Sequence, residues 1–148
     1  MPKLMMFAAC EKVLIDQDGS VSLVCLLAEL KAEMPEPATK AIPKPAAAMR
    51  WAAFSMWLKT ETEDDEKEYE QRIALIDPSG EATGIQATTP FKFGDKTIMR
   101  NIVTILGFPI HASGRYVLRL WMQEKGHAES VDPIAEYPIG VRLEQPKD

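Results

Sequence analysis

From Arg115 to Gln123 the chain alternates without a fault. Tyr116, Leu118, Leu120 and Met122 fall on one side, and Arg115, Val117, Arg119, Trp121 and Gln123 on the other. Successive side chains of a strand project to opposite faces, so the pattern is that of an antiparallel strand with one face buried. Ala112-Ser113-Gly114 supplies a tight turn just before it. A glycine two residues ahead of a tyrosine at a strand start is also the arrangement of a tyrosine corner, where the phenol ties a crossing between two sheets to backbone. A chain built around this segment is expected to fold as a β-sandwich.

Period-two patterning recurs on both sides of it. Leu4 to Ile15 and Val21 to Leu30 flank Asp16-Gln17-Asp18-Gly19 and read as a hairpin. A two-residue loop at Gln17-Asp18 would set Cys10 opposite Cys25, while a type I turn with a bulge at Gly19 would slide the pairing by one residue. Apolar residues on both sides of this hairpin predict that each face is covered for part of its length. Met34 to Pro45 holds four of the chain's 11 prolines. Proline offers no ladder donor, so residues 34–47 are expected to form an exposed crossover loop rather than a domain boundary, because one hairpin cannot stand alone. Trp51 to Leu58 reads as the next strand, with Phe54, Met56 and Leu58 on one face and Trp51 and Trp57 on the other. The acidic run Glu61 to Glu68 is expected as a solvated loop. Tyr69 to Ile76 returns as a strand, closed by the type I turn signal Asp77-Pro78-Ser79-Gly80. Ile85 to Phe93 reads as a shorter strand near an edge, since Pro90 interrupts it. Asp95 to Phe108 carries two patterns. Ile98, Ile102, Ile105 and Leu106 fit helical spacing behind a cap at Asp95, but Ile102-Val103-Thr104-Ile105 is β-branched. Strand is the better fit in a sandwich. Glu124 to His127 then turns the chain, and Ile139, Val141 and Leu143 alternate in a closing strand.

Length and charge bound the function classes. At 148 residues the chain is expected to form one domain, 1–148, with a single core. Its net charge of -5 argues against tracking nucleic-acid phosphates, which takes clustered Lys and Arg. No apolar run approaches the roughly 20 residues that span a bilayer. Phe7-Ala8-Ala9-Cys10 loosely resembles a lipoprotein cleavage box, but its apolar core is short and continues directly into strand sequence; a structural first strand is the expectation. The protein is therefore expected to be cytoplasmic, without nucleic-acid or membrane partners. Its two cysteines are expected as reduced, buried thiols.

Candidate chemistry fails on spacing. Asp16-Gln17-Asp18-Gly19 opens like a calcium loop, yet the sixth position is Val21 rather than Gly and the twelfth is Leu27 rather than Glu. Cys10 and Cys25, and His111 and His127, are separated far more widely than the close pairs of zinc modules. Ser113, His111 and Asp132 lack the strand-turn-helix elbow and oxyanion loop that a hydrolase needs. No metal, cofactor or catalytic residue is assigned. Recognition is the remaining chemistry, and Arg115, Arg119 and Trp121 on the outward side of one strand are the candidate partner-binding residues. Cross-strand ion pairing and a loop over the indole are the bland explanation of the same residues.

Cys10-Glu11-Lys12-Val13-Leu14-Ile15-Asp16-Gln17-Asp18-Gly19, together with Gly114-Arg115-Tyr116, resembles a family of small bacterial β-sandwich proteins classed as a domain of unknown function. The resemblance covers nearly the whole chain except Met34 to Pro45, rests on a turn and a corner, and implies a fold without an activity, ligand or catalytic residue. A looser likeness to immunoglobulin-type sandwiches departs at Leu118, where the disulfide cysteine would follow the tyrosine. The expected molecule is thus a single all-β antiparallel sandwich of about seven to eight strands with immunoglobulin-like or related topology. Its expected function is as a non-enzymatic binding or interaction module, for an unknown protein partner or for itself. The alternative is a small-molecule or metal-dependent enzyme with a pocket between the sheets.

Overall fold

The computed structural model describes residues 1–33, 46–110 and 112–144. They form nine strands: β1 (Lys3–Ile15), β2 (Val21–Leu26), β3 (Glu29–Glu33), β4 (Ala46–Leu58), β5 (Glu68–Ile76), β6 (Ala82–Lys92), β7 (Ile98–Pro109), β8 (Gly114–Glu124) and β9 (Ala135–Glu144). Two sheets pack face to face. One has the order β2-β1-β4-β7, the other β3-β9-β8-β5-β6. The chain is an all-β sandwich. In the immunoglobulin scheme β4, β5, β6, β7, β8 and β9 take the places of strands B, C, C′, E, F and G. Strand D has no counterpart, because only residues 93–97 join β6 to β7.

Nine strands among the described residues roughly match the expected number of about seven or eight; the run Val21 to Leu30, expected as one strand, divides into β2 and β3. After Leu27 donates its backbone N–H to Ala9, Ala28 carries the chain across to the second sheet. There β3 pairs with β9 in parallel, from Glu29 opposite Gly140 to Glu33 opposite Glu144, so the sandwich is not wholly antiparallel. The proline-rich crossover expected over 34–47 lies mostly outside the described residues; Ala46 and Ala47 already pair with Pro109 and Phe108 in β4.

The turns form as their residues dictate. At Asp16-Gln17-Asp18-Gly19 the Gly19 N–H donates to Asp16, the Asp16 N–H donates to Ser20, and Gly19 takes φ +86. This is the bulged type I turn, and it sets Lys12 opposite Val24 and Cys10 opposite Leu26. Cys10 and Cys25 are therefore not paired across the ladder. Cys10 is buried and Cys25 exposed, which corrects the expectation of two buried thiols.

Residues inward on β4 and β8 fill the space between the sheets. Trp51, Ala53 and Trp57 meet Tyr116, Leu118, Leu120 and Met122, along with Ile73, Leu75 and Ile139. Aromatic rings gather at two ends of this core, about 20 Å apart along β4 by strand rise. At one end Phe108 lies 5.5 Å from Trp51 and 5.2 Å from Tyr116. At the other, Phe91 lies 6.0 Å from Trp57, 5.7 Å from Tyr69 and 5.8 Å from Phe93. The Tyr116 hydroxyl donates to the Pro109 carbonyl at 3.1 Å, closing the corner between β7 and β8. Gly114 opens β8 at φ +138, and a Cβ there would come within 2.9 Å of Pro78 Cβ. Only glycine fits that approach.

The first hairpin has a second role. Run straight, its tip would lie roughly 25 Å beyond Cys10, pointing away from the end of β7 that carries Arg100. Instead the Arg100 guanidinium donates to the Gly19 carbonyl at 2.5 Å. Arg100 stands opposite Met56 on the outward side of the sheet, so the hairpin doubles back across that side. Ala8, Cys10, Ala52 and Phe54 project there, and all four are buried. Both faces of β1 are covered for part of its length, with Ala8, Ala9 and Cys10 all buried, whereas Leu14, Ile15 and Leu26 nearer the tip are each at least half exposed.

Candidate functional site

The inward face of β5 carries one polar residue among apolar ones: Tyr69, Gln71, Ile73, Leu75. Gln71 crosses to the other sheet. Its Oε1 accepts from Ser55 Oγ at 2.5 Å, from Trp57 Nε1 at 2.9 Å and from Asn101 Nδ2 at 3.2 Å. All four residues are buried. One carbonyl oxygen thus collects donors from β4 and β7, and the cluster of Ser55, Trp57, Gln71 and Asn101 contains no carboxylate, imidazole, thiol or amine. A polar residue at an inward period-two position was the available sequence signal for it.

Asp64 is the second buried polar group. It sits in a single 3-10 turn, Thr62–Asp65, and is fully buried, which corrects the expectation that the run Glu61 to Glu68 is entirely solvated. Its Oδ1 accepts from the Tyr69 hydroxyl at 2.5 Å and its Oδ2 from the Glu61 backbone N–H at 3.2 Å. Burial opposes the charge, but these hydrogen bonds outweigh it and hold the Asp64 carboxyl below its ordinary range. Burial, with Asp64 alongside, pushes the Tyr69 phenol upward. Neighbouring acids of the same run pair outward: Lys59 reaches Asp65 at 2.6 Å and Lys92 reaches Glu66 at 3.0 Å.

The outward face of β8 carries the candidate residues, and the structure separates them. Trp121 is only 7% exposed. The Arg72 guanidinium carbon stands 3.9 Å above its ring, and its Nε1 donates to the Val131 carbonyl at 3.4 Å. Arg72 in turn binds Glu129 at 2.7 Å. The indole is thus sandwiched beneath an arginine and the 125–134 segment. Arg119, opposite Glu136 on β9, pairs with it at 3.2 Å. Arg115 is exposed, stands opposite Gly140 and has no hydrogen-bond or ion-pair partner among the described residues. It lines a shallow depression with Ala28, Tyr137, Pro138 and Gly140, beside a second lined by Glu29, Ser113, Val141 and Arg142. Arg72, Glu129 and Glu136 were not singled out from sequence; the cross-strand register brings in Arg72 and Glu136, and the segment after β8 brings in Glu129.

The remaining sequence candidates disperse. Ser113 Oγ accepts from the Leu143 backbone N–H at 2.9 Å. His127 is exposed in the turn after β8, 3.9 Å from Glu124. Cys10 is buried in β1, with its thiol pushed upward by burial. His111 lies outside the described residues. Among the described residues no three His, Cys, Asp or Glu side chains converge to hold a metal ion, and no helix is long and apolar enough to cross a membrane. Models of known protein families and the curated proteins return no match to this chain.

Proposed function

We infer that the protein is a non-enzymatic interaction module that binds a protein partner through the outward face of β8. The observation that carries this reading is the contrast between interior and surface. The space between the sheets is filled by Trp51, Trp57, Ile73, Leu118 and Leu120, and the buried polar cluster around Gln71 is closed on itself. The surface, by contrast, holds Arg115 above a depression with no partner among the described residues, and Arg119 about 13 Å along the same strand. Trp121, covered by Arg72 and the 125–134 segment, is not itself a contact in this reading. Arginine held on a stiff strand is well suited to recognise carboxylates on a partner. The likeness to the small bacterial family, carried by Cys10 to Gly19 and Gly114-Arg115-Tyr116, implies a scaffold of this kind without a reaction.

The test is native capture from the source cell with wild type and with the double variant Arg115→Glu, Arg119→Glu. The reading expects a stoichiometric partner that the double variant loses while its thermal unfolding stays close to wild type. A partner held equally by both proteins would refute the face. Turnover of a small molecule by the purified chain would refute the non-enzymatic reading.

A further inference from the structure

Each sheet ends in two edge strands, and three of the four edges are guarded. β2 and β3 are 6 and 5 residues long. β6 is interrupted by Pro90, which cannot donate. β7 is different. It is 12 residues long, its register with β4 runs unbroken from Leu106 to Ile98, and no described strand pairs with its other edge. Its outward residues are apolar at every second step: Ile98 is 42% exposed, Ile102 39% and Leu106 73%. A narrow groove lined by Gly84, Ile85, Ala87, Val103 and Ile105 runs between this edge and β6, with Ile73 of the core at its floor. Soluble proteins do not leave a long apolar edge unpaired without cost, because it templates strand addition.

The pattern on β7 also says what fits it. Outward along the strand the order is Ile98, Arg100, Ile102, Thr104, Leu106, which mirrors itself about Ile102. We propose that β7 pairs antiparallel with β7 of a second copy around a two-fold axis at Ile102, joining two four-stranded sheets into one. In that register Ile102 meets its own counterpart, Ile98 meets Leu106, and Arg100 meets Thr104, so apolar faces apolar and polar faces polar. Moving the axis to Asn101 or Val103 sets Arg100 against Ile102 or Leu106, and moving it to Arg100 sets two cations against each other. Like charges directly opposite destabilise a ladder. A symmetric seam of this kind closes on itself and leaves no further edge on that side. This edge is distinct from the Arg115 face.

Sedimentation velocity on the full chain across a concentration series tests the seam. The expected result is a reversible dimer that Ile102→Lys and Ile102→Asp each abolish, and that an equimolar mixture of the two variants restores as a heterodimer. Ile102 is partly exposed, so circular dichroism is expected to show both variants folded; Thr104→Lys, which would face Arg100 of the second copy, is the alternative should either fail. A chain that stays monomeric at every concentration overturns the proposal. So does a dimer that both Lys variants leave intact. Arg115 and Arg119 are untouched in every variant, so partner capture by the Ile102 variants reports separately on the β8 face.

Discussion

Two side chains show how the sandwich handles polarity at the scale of single residues. Gln71 Oε1 takes three donors at once, so its removal strands them all. Gln71→Leu is expected to cost about 3 kcal/mol in denaturant unfolding, since each buried donor left unpaired costs roughly 1–3 kcal/mol and the penalties do not simply add. Ser55→Ala removes one donor and leaves the acceptor served by Trp57 and Asn101, for a loss of about 1 kcal/mol. Equal losses would mean that the cluster does not act as drawn. Asp64 and Tyr69 form a pair whose energy depends on pH. The Asp64 carboxyl titrates lower in the folded protein than in the unfolded chain, so its contribution is complete above the unfolded value of roughly 3.9 and is lost as pH falls through the folded one. The Tyr69 phenol titrates higher when folded, so its contribution is complete below about 10 and is lost as pH rises further. Tyr69→Phe is therefore expected to lower the melting temperature at neutral pH, with the gap to wild type narrowing at both extremes. A gap that is constant from acid to alkaline pH would remove the pair from the account. Gln71 left a signal the sequence reading did not use, a polar residue on an apolar stripe; Asp64 left none, because one buried acid among six in Glu61 to Glu68 differs from its neighbours only through a tyrosine five residues away.

At the scale of elements, β8 follows its sequence most closely. All four residues expected inward are buried, and the corner bond from Tyr116 is present. β7 carried helical and strand spacing together, and strand won because β4 supplies a partner ladder along almost its whole length. β3 was hidden. Its five residues contain neither Gly nor Pro at the break from β2, and its partner lies more than a hundred residues away, so no local signal marks it. The folded-back hairpin was equally silent, since its position depends on one arginine of another strand. Arg100→Ala is expected to free the tip while leaving the core intact. Hydrogen exchange should then accelerate in Val13, Val21 and Leu23, and Phe54 should gain solvent access, with little change in the β5–β8–β9 amides. Unchanged exchange across the hairpin would mean that the cover holds without Arg100.

At the scale of the whole molecule, period-two patterning was enough for the class of fold, because burying one face of each strand leaves few ways to arrange so many of them. The surface was less legible. Arg115, Arg119 and Trp121 share a face in sequence, but neighbours in space decide their availability: Glu136 engages one, Arg72 and Val131 enclose another, and the third has no partner among the described residues. The pairing of β3 with β9 reaches furthest beyond the static picture. A ribosome delivers about 5–20 residues each second, so Glu29 to Glu33 waits on the order of ten seconds for Gly140 to Glu144 to leave the exit tunnel. From the emergence of β3 to that of β9 the nascent chain holds an open strand, which must stay out of reach of neighbouring polysomes until β9 slots in beside it and completes the second sheet.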